Sequence, residues 1–247
     1  MLSKAKLVAI FTVGLFIISL LVPGQFRFRR SRRSSQSVYV EVEMAQLNQA
    51  FNSFRSEFSS RVPGSLLLTE DLAELAPQDR ATLRRLWPQL NFKAQYDFNS
   101  DGDTEDTFQL SGAECLVFFL GGVSKNKKPV GFSRNPLQPF RPNSQPRLQF
   151  FEFEDDRLTD VDSDGFPEDA DGLSDAPFLY VNSMRGSKAD VTVYPKGDPR
   201  NLKALPATNG KQQDTQIISA GFNGSYDGLN FSTTRDGNSD DIIDRMR

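Results

Sequence analysis

The feature that most constrains this 247-residue chain is an unbroken apolar stripe in its first quarter. Val40, Met44, Leu47, Phe51, Phe54 and Phe58 step by 4, 3, 4, 3 and 4 residues, which puts all six on one face of an α-helix. Glu41, Glu43, Gln46, Asn48, Asn52, Arg55 and Glu57 lie between them as the solvated face. The spacing predicts a helix over 38–60, stopped by Pro63-Gly64. Such a stripe must be buried, and packing on the domain's own sheet is a simpler solution than a coiled-coil neighbour. Phe92–Phe98, Phe108–Leu110, Leu148–Phe153, Phe178–Val181, Val191–Tyr194 and Gln216–Ala220 read as its strands, being alternating or rich in β-branched and aromatic residues. Leu66 to Leu90 reads as one or two short helices, with Thr69 as N-cap before Glu70-Asp71 and with Pro77 and Pro88 as punctuation. Ala113–Leu120 (AECLVFFL), apolar but for Glu114, fits a buried strand or a helix and is read as a helix ending at Gly121-Gly122. The expected class is α+β: an amphipathic helix on a small antiparallel sheet with long acidic loops, all within a body of residues 38–247.

Ahead of the stripe, residues 1–6 are a basic start. Leu7 to Val22 (LVAIFTVGLFIISLLV) is uncharged and ends at Pro23-Gly24. At 1.5 Å per residue it reaches about 24 Å, short of the ~30 Å hydrocarbon core of a bilayer. A cleaved signal has a similar outline, but no small-x-small site stands near Pro23, so an uncleaved anchor over 7–23 is the expectation. A basic linker, 24–37, carries Arg27, Arg29, Arg30, Arg32 and Arg33. By charge alone, those arginines would keep the body in the cytoplasm. Seven of the 29 basic residues precede residue 34, leaving 22 against 32 acidic ones, a balance of −10. A body of that charge repels nucleic acid, so none is expected as a partner.

Composition also narrows the chemistry. The chain has no histidine, which removes Ser-His-Asp and Cys-His nucleophile systems and imidazole metal sites. Its one cysteine, Cys115, cannot form an intrachain disulfide and reads as an inert core residue. Glu152 and Glu154 are a carboxylate pair of the kind glycosidases use, but their spacing reads as the exposed face of a strand. No enzymatic activity is expected.

The clearest chemistry lies in acidic turns. Residues 97–106 read DFNSDGDTED, with Asp97, Asn99, Asp101 and Asp103 on alternate positions, Asp106 behind and Gly102 at the turn. Residues 160–171 read DVDSDGFPEDAD, with Asp160, Asp162 and Asp164 alternating before Gly165, then Glu168, Asp169 and Asp171. Alternating oxygens around a glycine let a short loop wrap one hard cation, and calcium accepts six to eight such ligands at flexible distances where magnesium demands an octahedron. Neither segment has a glutamate at the twelfth position of an EF-hand: Phe108 and Asp171 stand there. A third acidic stretch, 221–241, adds Asp236, Asp240 and Asp241. Calcium is the expected cofactor, in a structural role.

The order of these parts resembles that of the type IV pilin-like proteins, and more closely the major pseudopilins of type II secretion systems. The residues that carry the resemblance are the apolar run to Pro23, the AQLNQAFNSFRSEF helix with Val62-Pro63, the strand Ile217-Ile218-Ser219-Ala220-Gly221-Phe222-Asn223-Gly224 and the terminal Asp240-Asp241-Ile242. They span roughly 1–64 and 214–244. Two departures stand out: the family's leader motif is absent, and Lys6 falls near the position of its N-terminal glutamate. The resemblance implies a single-pass inner-membrane protein with its body in the periplasm or outside the cell. It also implies other pseudopilin subunits, inner-membrane secretion machinery and membrane lipid as partners. A calcium-binding envelope protein on a signal anchor, outside any filament, is the alternative.

Overall fold

The computed structural model describes residues 36–125, 127–142, 147–182, 215–224 and 226, with the backbone of 242–246. The expected membrane anchor, the basic linker through residue 35, the strand at Val191–Tyr194 and Asp236, Asp240 and Asp241 lie outside the described residues. Helix α1 runs over 36–58 and buries the stripe: Val40, Met44, Leu47 and Phe54 are at most 1% exposed. It ends before Pro63, at Ser59, whose φ of 49° breaks the helical run. The stripe packs through rings. Phe51 stacks on Tyr180 at 4.8 Å, Phe54 meets Phe119 and Phe150 at 6.0 and 5.2 Å, and Phe58 meets Trp87 at 5.2 Å.

Between residues 66 and 90 the expectation of helix needs correction. Leu66–Thr69 is strand β1. Leu66 and Leu68 are buried, and the strand pairs antiparallel with β2 (Thr107–Leu110), Leu66 opposite Leu110 and Thr69 opposite Thr107. Thr69 is no N-cap; its hydroxyl donates to the Asp71 carbonyl. One helix follows, α2 (Pro77–Leu86), with Pro77 in its first turn, where a missing N–H costs nothing. Helix α3 (Gly112–Gly121) is the apolar run, and all ten of its residues are buried. It opens on a capping box, in which the Glu114 N–H donates to Ser111 Oγ and the Ser111 N–H to Glu114 Oε2. It ends where expected. Gly122 has φ 94°, and a Cβ there would lie 2.2 Å from Gly131 Cα, so only glycine fits.

The strands form several small antiparallel sheets rather than one. Short pairs β3 (Ser124–Lys125) with β4 (Lys128–Pro129), and β5 (Phe132–Ser133) with β6 (Arg147–Leu148), follow α3. A third pair joins β7 (Leu158–Thr159) to β8 (Glu168–Asp169). The largest sheet orders β9 (Leu179–Asn182), β10 (Thr215–Ser219) and β11 (Ile242–Met246) as β11-β10-β9. Phe92–Phe98 and most of Leu148–Phe153 are not strands. Their alternating aromatics serve a ring cluster instead: Tyr96 and Phe98 pack on Phe140 at 5.4 and 5.7 Å, and Phe118 joins Phe132, Phe140 and Phe166.

One buried ion cluster ties α1 to β7 and β8. The Arg157 guanidinium pairs with Glu43 of α1 and with Asp169 of β8 at 2.9 Å. Among the described residues no helix is long and apolar enough to cross a membrane. Phe54→Ala, which empties the α1–α3 contact, is expected to lower unfolding stability by about 3–5 kcal/mol. Val42→Ala, on the exposed face of the same helix, should change it by less than about 0.5 kcal/mol in the same denaturant titration.

Candidate metal centre

The acidic segments at 97–102 and 160–165 share the pattern D-x-[ND]-S-D-G and share a backbone conformation. The serine in each is left-handed, with φ 65° at Ser100 and 63° at Ser163, and the glycine follows with φ 103° at Gly102 and 94° at Gly165. The glycine N–H in each donates back to the first carboxylate, at 3.2 Å from Gly102 to Asp97 Oδ2 and at 3.2 Å from Gly165 to Asp160 Oδ2. Two positive-φ residues separated by one aspartate turn the chain sharply in each segment.

Each turn meets a buried glutamate from the frame. Glu70, just past β1, accepts the Phe98 N–H on Oε1 at 2.7 Å and the Asp106 N–H on Oε2 at 3.2 Å. Its carboxylate shares a group with Asp103 and Asp106, one oxygen from each lying within 4.8 Å of the others. Glu114, in the first turn of α3, forms the same kind of group with Asp162 and Asp164. Each group thus combines one buried, one half-buried and one exposed carboxylate and could hold a metal ion. An all-oxygen donor set of this charge suits a hard divalent cation.

The remaining expected ligands divide. Asn99 bridges Asp101 and Asp106 through its amide, at 3.0 and 2.9 Å, while Asp101 accepts the Asp103 N–H at 3.1 Å. These two organise the first turn rather than joining its carboxylate group. Asp160 lies at the base of the second turn with a side chain only 3% exposed, and Lys127 approaches its Oδ2 at 3.2 Å. Glu168 is buried in β8, close enough for its charge to act on Asp164. Asp171 has a different task. It accepts from the Leu173 and Ser174 N–H groups and the Ser174 hydroxyl on Oδ1, and from the Ser219 hydroxyl on Oδ2, closing the turn that leads to β9. Glu152 and Glu154 are exposed on either side of buried Phe153, and Glu154 accepts from Tyr39. Burial pushes the Cys115 thiol well up, keeping it protonated and unreactive.

Glu70 and Glu114 are the residues that sequence reading misses. Glu70 reaches its group only through the β1–β2 register, which brings it beside Asp106, where its N–H donates to the Asp106 carbonyl at 3.0 Å. Glu114 carried a readable signal, since Ser111-x-x-Glu114 before an apolar run is a capping box, but nothing in the sequence says which loop folds over it. Comparison with protein-family models, with curated proteins and with solved structures finds no match.

The crowding leaves a mark on proton affinity. Burial, followed by the charge of Asp164, raises the pKa of Glu114 to about 8. Asp164 is raised to about 7, by burial first and then by Asp162, Asp160 and Glu168. Both values exceed those of the unfolded chain, so folding takes up protons, and this contribution to stability is lost as pH rises through the folded-state values. In chelator the melting temperature is therefore expected to fall between pH 5 and pH 8 through these two groups. A divalent cation would replace the protons, so its stabilising shift should be larger at pH 8 than at pH 5. Thermal melts at the two pH values with and without calcium check this; equal shifts would separate the cation from these carboxylates.

Proposed function

We propose that this chain is a pseudopilin-like structural component of a type II secretion or type IV pilus-like assembly, its extracytoplasmic body stabilised by calcium. The observation that carries the reading is the packing of α1 on the sheet of β9, β10 and β11 through Phe51 and Tyr180. A long amphipathic helix laid on a small antiparallel sheet, whose last strand is the C-terminal one, is the plan that the resemblance implies. The Ile217–Gly224 segment supports it too: it contains most of β10 and the turn after it, and β11 begins directly after Asp240-Asp241. In this reading Leu7–Val22 anchors the chain and packs against other copies, while the body faces secretion machinery. Calcium fits the two oxygen-only groups better than magnesium because the turns offer many oxygens without octahedral order. The role is structural and no reaction is assigned.

Pairs of cysteines placed in Leu7–Val22 and oxidised in membranes at native expression should give a ladder of crosslinked multimers. Cys115 is fully buried and should not contribute. A complete lack of intersubunit crosslinks would overturn the filament reading and leave the envelope-protein alternative. The calcium part has its own measurement. Calcium at a hundred times its dissociation constant should stabilise the fold by about 2.7 kcal/mol, with no comparable shift from magnesium. Identical melts in chelator and in calcium would remove calcium from the proposal.

A further inference from the structure

Three of the five exposed large hydrophobic side chains among the described residues crowd the first two turns of α1: Val38, Tyr39 and Val42, at 53%, 51% and 51% exposure. Val38 and Val42 lie one turn apart, on the face opposite buried Val40 and Met44. The patch has an acidic rim. Tyr39 donates its hydroxyl to Glu154 Oε1 at 3.2 Å, and Arg157 pairs with Glu43, so the 154–157 turn lies against the start of the helix. Glu41 on the helix and Glu154 and Asp156 on the turn are exposed, while Asp155 is taken by Lys128. Apolar surface with a charged rim marks a contact face. The partner that fits it carries apolar and cationic side chains together.

The chain itself supplies that combination. Helix α1 starts at Gln36, and the residues leading into it read Phe26-Arg27-Phe28-Arg29-Arg30, then Ser31-Arg32-Arg33-Ser34-Ser35. Alternate residues of an extended segment share a side, so Phe26 and Phe28 would face one way and Arg27 and Arg29 the other. The length fits as well. Val42 is about 9 Å along the helix axis from Gln36, a distance that roughly three extended residues cover. A reversal within residues 31–35 would therefore set Phe28 abreast of Val42.

We propose that residues 26–30 fold back on α1 of their own chain, with Phe26 and Phe28 covering the Val38–Val42 patch and the arginines pairing with Glu41, Glu154 and Asp156. The arginines then answer the negative charge of their own body rather than that of a lipid headgroup or a second protein. Exposed ion pairs hold the contact, and salt weakens it. The fold-back does not depend on the chain joining a filament.

Trypsin cleavage within Arg27–Arg33 of the full chain in a neutral mild detergent tests this, read by the mass of the released body. Each rate is divided by that of a synthetic peptide of residues 24–35, which removes the effect of salt on trypsin itself. At low salt the parent chain should be cleaved at least about five-fold more slowly than in about 1 M salt, a protection of the size that three exposed ion pairs supply together. The double variant Glu41→Gln/Asp156→Asn and the single variant Val42→Ser should each lose that protection, with circular dichroism checking that they fold. Protection that survives in both variants would place the shield in the micelle and overturn the proposal. Protection that grows with protein concentration would assign the patch to a second copy's linker and overturn the intrachain contact. Equal cleavage of the parent chain at both salt concentrations would overturn it outright.

Discussion

A ten-residue helix with no exposed residue sets the terms for everything around it. Helix α3 is buried along its whole length, so it needs cover on every side, and one amphipathic partner can supply only part of that. Helix α1 covers one flank with Phe54 against Phe119. Trp87, Phe132, Phe140 and Phe166 close others, through contacts to Phe119 and Phe118. Six of the 21 phenylalanines are thereby explained. Large flat rings fill the spaces between short segments that make few ladder hydrogen bonds, which is why several two-stranded sheets suffice here in place of one broad sheet.

The same helix creates the electrostatic problem at the acidic turns. Its N-terminus is capped reciprocally by Ser111 and Glu114, which fixes the Glu114 carboxylate in a buried position. The partial positive charge of the helix start favours that carboxylate, yet burial and Asp164 together still drive its pKa to about 8. The 160–165 turn therefore brings Asp162 and Asp164 toward a carboxyl group that cannot move away. Protons relieve the repulsion up to the raised values of these groups, and a divalent cation could take their place above them without disturbing the cap. The 97–106 turn repeats the arrangement with Glu70, held by the Phe98 and Asp106 N–H groups.

What could be read beforehand follows from how local each signal is. The α1 stripe, the α3 run and its glycine end, and the D-x-[ND]-S-D-G turns depend on neighbours within a few residues, and all are present. Thr69 misleads because a good N-cap residue followed by two acids is also a plausible strand end, and pairing with Thr107 decides between them. Phe92–Phe98 misleads for a related reason: alternation of aromatics records burial, and here burial is achieved in a ring cluster without a strand partner. Asp171 sits at the twelfth position of an acidic loop, but its oxygens are taken by Ser174, Leu173 and Ser219. Ser219 is 48 residues away, a partner that no loop pattern reveals. Glu70 and Glu114 belong to the same class, since their proximity to the turns is created by register and by packing.

The β7–β8 hairpin connects the two halves of this organisation. Its connecting segment is the 160–167 turn itself, and its base is pinned by Arg157 and Asp169, with Glu43 of α1 on the same guanidinium. Burial alone would lower the pKa of Arg157, but Glu43 and Asp169 more than reverse that and hold it charged. Breaking such a cluster at one member would leave uncompensated charge in the interior, so its three members stand or fall together. Order at the tip of the hairpin and the seat of the N-terminal half of α1 are consequently held by one short ribbon. A cation bound at the tip would remove a force that opens that ribbon, and would so help hold α1 in place from a position outside the helix's own contacts.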